Sequence, residues 1–232
     1  MLLHETYTKI NTLYKRSTNG NIVIGDFSCP EFSMLFDAKW KAYQKVDGTN
    51  ISYYWNGHEL RIDGKTENAY TDKEVMTMLQ NKITPEMLTK VFPPKYAEDG
   101  TEIPMNVIIY GEAYGKKIQK VGPKFLKDGH DFRIFDILVI GNDGKPWWLE
   151  TEVVEEICNS LGVEMPVSYG VMTLGEAEKM VMKGWTDPIA EDPSLPIEGL
   201  VLRPLVQLFN KKGERIMVKI KTCDYRKIGI NG

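Results

Sequence analysis

Runs of β-branched and aromatic residues recur along the chain at strand length, separated by stretches whose apolar positions repeat at helical spacing. Ile51 to Trp55 and Glu59 to Asp63 flank Asn56-Gly57, a pair that accepts the positive backbone angles of a tight turn, so a β-hairpin is predicted there. Val107 to Tyr110 is a short β-branched run that ends at Gly111-Glu112. Phe132 to Ile140, the turn residues Gly141 to Gly144, and Pro146 to Leu149 read as another hairpin, and Gly199 to Arg203 and Arg215 to Ile220 as the last two strands. Helices fill the gaps. One is expected over Asp72 to Leu79, and Thr84 with Pro85 caps and opens another to about Val91. Thr151 to Leu161 places Val153, Val154, Ile157 and Leu161 on one face. Thr173 and Glu176 form a capping box ahead of Ala177, Met180 and Val181. Strands and helices without strict alternation predict an α+β fold of mostly antiparallel sheets. No repeat, low-complexity tract or Pro/Gly-rich linker divides the chain, so a single domain over residues 1–232 is expected.

The composition, 42% hydrophobic and 26% charged over 232 residues, is that of a soluble globular protein with a sizeable core. No apolar run approaches the roughly 20 residues of a membrane-spanning helix. Met1 to Arg16 carries acidic and polar residues where a signal peptide keeps an apolar stretch. A cytoplasmic protein with no membrane partner is the expectation. Cys29, Cys158 and Cys223 are odd in number and lack CxxC spacing, which argues against a disulfide framework and a zinc site and for a reduced compartment. His4, His58 and His130 are isolated and read as surface or locally bonded histidines rather than metal ligands. A net charge of −3 argues against a protein that coats nucleic acid. An enzyme that must release its product needs only a local basic surface. Lys116, Lys117, Lys120, Lys124 and Lys127 form either such a surface or a solvated loop.

The chemistry gathers in KVDGTN (Lys45 to Asn50), DGKT (Asp63 to Thr66), YGE (Tyr110 to Glu112), DFRIFDI (Asp131 to Ile137), EGLVLRP (Glu198 to Pro204) and VKIKT (Val218 to Thr222). There is no GxxxxGK[ST] and no GxGxxG, and GEAYGKK (Gly111 to Lys117) has the wrong spacing for a phosphate-binding loop. A lysine attacks phosphorus only as a neutral amine, and a free one titrates near 10.4, so its site must lower that value by burial or nearby positive charge. Lys219 and Lys221, alternate residues on one predicted strand, share a face and could supply that charge while gripping a phosphate. Polyphosphate chemistry also needs a divalent metal, for which Glu198, Glu112 and Asp47, each beside or close to a glycine, are the candidate carboxylates. A purine needs a flat apolar partner. Phe132 and Phe135 stand three apart on a strand and face opposite sides, so one can stack and the other is core.

These patches, in this order, resemble the covalent nucleotidyltransferases, and within them the RNA ligase 2 type common in bacteriophages. The resemblance runs from INTLYKR (Ile10 to Arg16) through EFSMLFDAKW and GKTENA to GERIMVKIKT, nearly the whole length. It implies the nucleotidyltransferase (ATP-grasp-like) fold, with Lys45 adenylylated, Glu112 on the ribose hydroxyls, Phe135 stacked on adenine, Glu198 acting through the metal, and Lys219 and Lys221 on the α-phosphate. Gln44, Val46, Asp47, Gly48 and Asn50 would belong to the nucleotide site, Asn50 in its phosphate pocket. Gln44 stands where many members have glutamate, so its contact would come through the backbone. Lys65 stands where many have arginine, and Arg61 competes with it for the reacting phosphate. Gln119 matches a glutamine of the family and, with Lys117 and Lys120, would contact RNA.

The reaction so implied uses ATP as co-substrate and magnesium or manganese. Lys45 takes AMP and releases pyrophosphate, AMP passes to a 5′-phosphate end, and a 3′-hydroxyl displaces it to seal RNA, in a nicked duplex and by a monomer. A phage-encoded protein would do this in the host cytoplasm. A minimal DNA ligase, a capping guanylyltransferase and a catalytically silent nucleic-acid-binding relative are the alternatives. The short stretch after Lys221 leaves no room for an OB-fold or a C-terminal helical domain, so a lone catalytic domain with a weak, salt-sensitive or partner-aided grip is expected.

Overall fold

In the computed structural model, which describes residues 6–64 and 72–230, the chain divides into two compact units. One takes in Met1–Tyr7 and Asp47–Met165, the other Thr8–Val46 and Pro166–Gly232. The chain passes between them at Val46-Asp47, inside KVDGTN.

The unit that contains Asp47–Met165 is built on a five-stranded antiparallel sheet. Its strands run in the order Pro146–Trp148, His130–Ile140, Asn106–Gly115, Thr49–Trp55, Leu60–Gly64. The hairpin expected at Asn56-Gly57 joins the last two, and Ile51 pairs with Gly64 while Trp55 pairs with Leu60. The central strand is buried on both faces, which is why Val107 to Tyr110 reads as an unbroken apolar run rather than an alternating one. On one face Ile51, Tyr53, Trp55, Ile109, Phe132, Ile134 and Ile137 pack against Val75 and Leu79 of helix Lys73–Lys82, Leu88 of Pro85–Val91, and Val154 and Leu161 of Thr151–Leu161. Each such side chain contributes roughly 1.5–3 kcal/mol on burial. On the other face Tyr54, Ile108, Tyr110, Leu138 and Ile140 are joined by Tyr7, Phe135 and Trp148. Thr84 Oγ1 accepts from Met87 N at 3.4 Å, so the cap read from sequence is made.

The unit that contains Pro166–Gly232 carries the other five-stranded sheet, in the order Asn11–Thr12, Val218–Lys221, Gly199–Pro204, Trp40–Gln44, Ser168–Met172. Only its first pairing is parallel. Trp40, Ala42, Leu200, Leu202, Val218 and Ile220 point into a core shared with Leu174, Ala177 and Val181 of helix Leu174–Lys183. That helix opens on the expected capping box, with Thr173 Oγ1 accepting from Glu176 N at 3.1 Å and Glu176 Oε2 from Thr173 N at 2.7 Å. The final strand differs from the expected Arg215 to Ile220. Arg215 bridges Phe209 and Ile216 N donates to Leu208 O at 2.8 Å, so those residues prolong a hairpin and the ladder on Gly199–Pro204 starts at Val218. Strands Trp40–Gln44 and Ser168–Met172 are additions to the sequence reading.

Candidate active site

Alternation along Val218–Lys221 sends Val218 and Ile220 into the core and leaves Lys219 and Lys221 together on the opposite face. Strand Gly199–Pro204 pairs with it so that Gly199 lies opposite Lys221 and Val201 opposite Lys219. Lys45 directly follows Trp40–Gln44, and its N–H donates to Gly199 O at 2.9 Å. Three chain segments thereby converge at Gly199. A side chain there is excluded, because a Cβ would lie 2.0 Å from Ile220 O and the residue holds φ +150°. Glu198 precedes this point, its carbonyl accepting from Thr222 N at 2.9 Å. Its Oε2 meets Lys45 Nζ at 2.7 Å and its Oε1 meets Lys221 Nζ at 2.7 Å.

The Glu198 carboxylate thus bridges two lysine amines, and the balance of charge shows in their protonation. Burial, followed by the positive charges of Lys45, Lys221 and Lys9, pulls the Lys219 amine down to about 8 against the attraction of Glu198. Lys221 carries a burial penalty too. Its hydrogen bond to Glu198 and that carboxylate's charge outweigh it, and the amine sits above the ordinary lysine value. The cluster therefore holds one cation tightly and another that loses its proton close to neutrality.

In the other unit, Asn50 pairs with Glu112 and Glu112 with Arg133, which places all three side chains on one face of that sheet. Arg133 is nearly buried, donating to Met165 O at 2.6 Å and pairing with Glu164 at 2.5 Å. The pairing slips between Ile134 and Asp136, so Phe135 is an extra residue at a bulge. Tyr7 touches both Phe135, ring to ring at 4.9 Å, and Asp136, through a 2.7 Å hydrogen bond from its hydroxyl. Two consecutive side chains therefore meet one partner, which strict alternation forbids. Phe132 lies on the opposite face, fully buried against Tyr53 at 5.2 Å. Of the two phenylalanines, Phe135 alone shares a face with Glu112.

The remaining expected residues fall as follows. Val46 and Gly48 are buried and Asp47 half-buried. A Cβ at Gly48 would come 2.1 Å from Ala113 O, so the KVDGTN backbone runs directly against the strand that bears Glu112. Gln119, at φ +56°, donates from Nε2 to Gly48 O at 3.0 Å. Lys117, at φ +65°, pairs with Glu74 at 3.2 Å and Asp72 at 3.8 Å, while Lys120 is exposed. Two non-glycine residues in the left-handed region within one turn mark a backbone held under strain. Arg61 lies 4.6 Å over the Tyr54 ring and donates to Asp63 at 2.8 Å. Lys65 lies outside the described residues. Gln44 is buried, its side chain turned to Asp187 at 2.6 Å and Val167 N at 3.4 Å. Sequence reading missed Asp187, Tyr7 and Arg133. For Asp187 no local signal exists; for Arg133, a charge inside the apolar run DFRIFDI was the available cue.

Among the described residues, no group of three or more His, Cys, Asp or Glu side chains could hold a metal ion. Nor, among those residues, is any helix long and apolar enough to cross a membrane.

The model of a protein family described as RNA ligase matches residues 38–221. Among solved structures, a mutant of Naegleria gruberi RNA ligase with ATP and Mn superposes with a TM-score of 0.63 at 17% identity, over 96% of this chain and 62% of that one. The same ligase with PPi gives 0.60 at 17%, over 95% and 63%. Another mutant with AMP and Mn gives 0.60 at 17%, over 94% and 62%. The chain thus spans less than two thirds of that ligase, and at such identity the likeness is one of fold. A search among curated proteins finds no sequence match.

Proposed function

The chain belongs to the RNA ligase family, and from that premise we propose that it is an ATP-dependent RNA ligase working through a lysine-AMP intermediate on Lys45. The observation that carries the reading is Glu198 held 2.7 Å from both Lys45 Nζ and Lys221 Nζ, with Lys219 on the same face. The Lys45 nitrogen attacks the α-phosphorus of ATP, a phosphorus–nitrogen bond forms, and the bond to pyrophosphate breaks. Glu198 Oε2 is the group in hydrogen-bond reach of the proton that must leave the amine. Lys219 and Lys221 steady the charge on the phosphate, in a buried setting where such contacts count for more than in water.

Glu112 and Asn50 are assigned to the ribose and phosphates and Phe135 to the adenine, a reading supported by their shared face. Arg61 or Lys65 takes the reacting phosphate, and Gln119, Lys117 and Lys120 the RNA. A magnesium ion arriving with ATP needs only one or two carboxylates besides phosphate oxygens: Glu198, with Glu112 and Asp47 as further candidates, would hold it, and it would offset phosphate charge. The two compact units are read as parts of a single adenylyltransferase domain. The Thr-Asn ending of KVDGTN supports the RNA ligase 2 type over a DNA ligase; action in RNA repair on nicked duplexes, as a monomer and from a bacteriophage, is part of the same proposal. Three unpaired cysteines fit a cytoplasmic setting.

The test is incubation with magnesium and ATP labelled at the α-phosphate, then with nicked duplexes bearing RNA or DNA at the 3′-hydroxyl side. A covalent adduct that Lys45→Ala abolishes, followed by sealing of the RNA-ended nick, is expected. Sealing of all-DNA nicks alone would make the protein a DNA ligase, and failure to form the adduct would leave a silent binding module.

A further inference from the structure

We infer that Asp187 is a positioning residue for nucleotide transfer to Lys45, acting through Gln44; the inference rests on the ligase reading and adds to it a residue that no motif marks. Gln44 is the last residue of strand Trp40–Gln44 and directly precedes the nucleophile. Its Nε2 donates to Asp187 Oδ1 at 2.6 Å, its Oε1 accepts from Val167 N at 3.4 Å, and its own N–H donates to Val167 O at 2.8 Å. Both ends of the side-chain amide are engaged inside the fold, and Gln44 and Asp187 are each 2% exposed.

Asp187 stands in turn at a corner of the loop that leads to Glu198. Its Oδ1 also accepts from Ile189 N at 3.1 Å and its N–H donates to Leu195 O at 2.8 Å. The Thr186–Pro196 bridge and the 2.9 Å bond from Ile197 N to Trp185 O close that loop on itself. Besides the backbone bond from Lys45 N to Gly199 O, the Gln44–Asp187 hydrogen bond thus ties the strand that leads into Lys45 to the loop that leads to Glu198. The two residues so delivered are the ones that meet at 2.7 Å.

Burying a carboxylate this deeply is costly, and an apolar pair could fill the same space without that cost. What the hydrogen bond to Asp187 Oδ1 contributes is direction. A short bond from the amide to Asp187 Oδ1 fixes the side-chain rotamer and adds to the backbone bonds that hold the end of the strand. Reaction rates fall steeply when a nucleophile is misplaced by about an ångström, so a brace one residue from Lys45 bears on rate more than on ATP affinity.

The experiment measures single-turnover transfer from α-labelled ATP by the full chain and by Asp187→Ala, Asp187→Asn, Gln44→Ala and the Asp187→Ala/Gln44→Ala pair. Asp187→Ala should lower the rate constant at saturating ATP by about 10- to 100-fold while the half-saturating ATP concentration moves less than about 3-fold. Asp187→Asn, whose Oδ1 still accepts from Gln44, should regain most of the rate. The double variant should be no slower than the slower single, because both remove one contact. A rate for Asp187→Ala within about 3-fold of wild type, losses that multiply in the double variant, or a loss matched by the unfolded fraction in a melting curve would overturn the inference. If Asp187→Ala does not fold, Gln44→Ala decides: a slow rate at unchanged half-saturation supports the brace, and a wild-type rate overturns it. Wild-type labelling with unaffected variants sinks this inference alone, whereas a wild-type chain that forms no adduct sinks the ligase reading and this inference with it.

Discussion

Lys45 Nζ lies 2.7 Å from Glu198 Oε2, so the amine assigned as nucleophile is held by a charge-assisted hydrogen bond. The same carboxylate restrains Lys221 through its other oxygen. Glu198→Gln keeps the shape, removes the charge and leaves the amide unable to accept from both amines. We expect adduct formation on Lys45 to slow by at least about 100-fold, read as a single-turnover rate with labelled ATP. A rate within a few-fold of wild type would remove Glu198 from the mechanism.

Lys219 predicts a pH dependence. Its folded-state value, about 8, lies below the ordinary lysine value, so between the two the unfolded chain keeps a proton that the folded chain has released. Stability gained from this group therefore rises with pH through that window, and below about 8 its buried charge is a cost. Lys219→Met should raise the thermal midpoint near pH 7, with the gain shrinking near pH 9, while adduct formation drops.

The same residue shapes the rate profile. If its charge serves the α-phosphate, adduct formation falls as the pH passes about 8, and Lys219→Arg, which does not titrate there, moves that falling limb upward. An unchanged limb in the arginine variant would assign it to another group.

Gly199→Ala should be among the most damaging small substitutions. The added Cβ would sit 2.0 Å from Ile220 O at φ +150°, and relief requires parting strand Gly199–Pro204, which directly follows Glu198, from the strand that carries Lys221. A loss on the order of 3 kcal/mol in chemical denaturation is expected, together with loss of labelling.

Phe132 and Phe135 should separate cleanly. Phe132→Ala empties a fully buried position and should cost about 3–5 kcal/mol of stability. Phe135→Ala, partly buried on the Glu112 face, should cost less and raise the half-saturating ATP concentration. The reverse pattern would move the adenine contact to Phe132.

How legible these features were depended on how far apart in the chain their partners lie. The hairpin at Asn56-Gly57, the Thr84 cap and the Thr173/Glu176 box involve residues a few positions apart, and each formed where the sequence pointed. The common face of Lys219 and Lys221 follows from the two-residue period of any strand. Trp40–Gln44 had the same period, with Trp40, Ala42 and Gln44 inward, but its lysine and glutamine obscured it. At Phe135 the period itself broke, because one extra residue in the ladder turned Asp136 to the same partner.

Sequence alone determined which side chains this protein has for its chemistry, their order, and the local turns and caps that set strand and helix ends, since those depend on backbone preferences over a few residues. Tertiary structure decided that Glu198 would reach Lys45 across 153 positions, that Asp187 would reach Gln44 across 143, and that burial would separate the protonation of Lys219 from that of Lys221. Such contacts arise from strand register and from the exclusion of water, and neither exists until distant segments have packed.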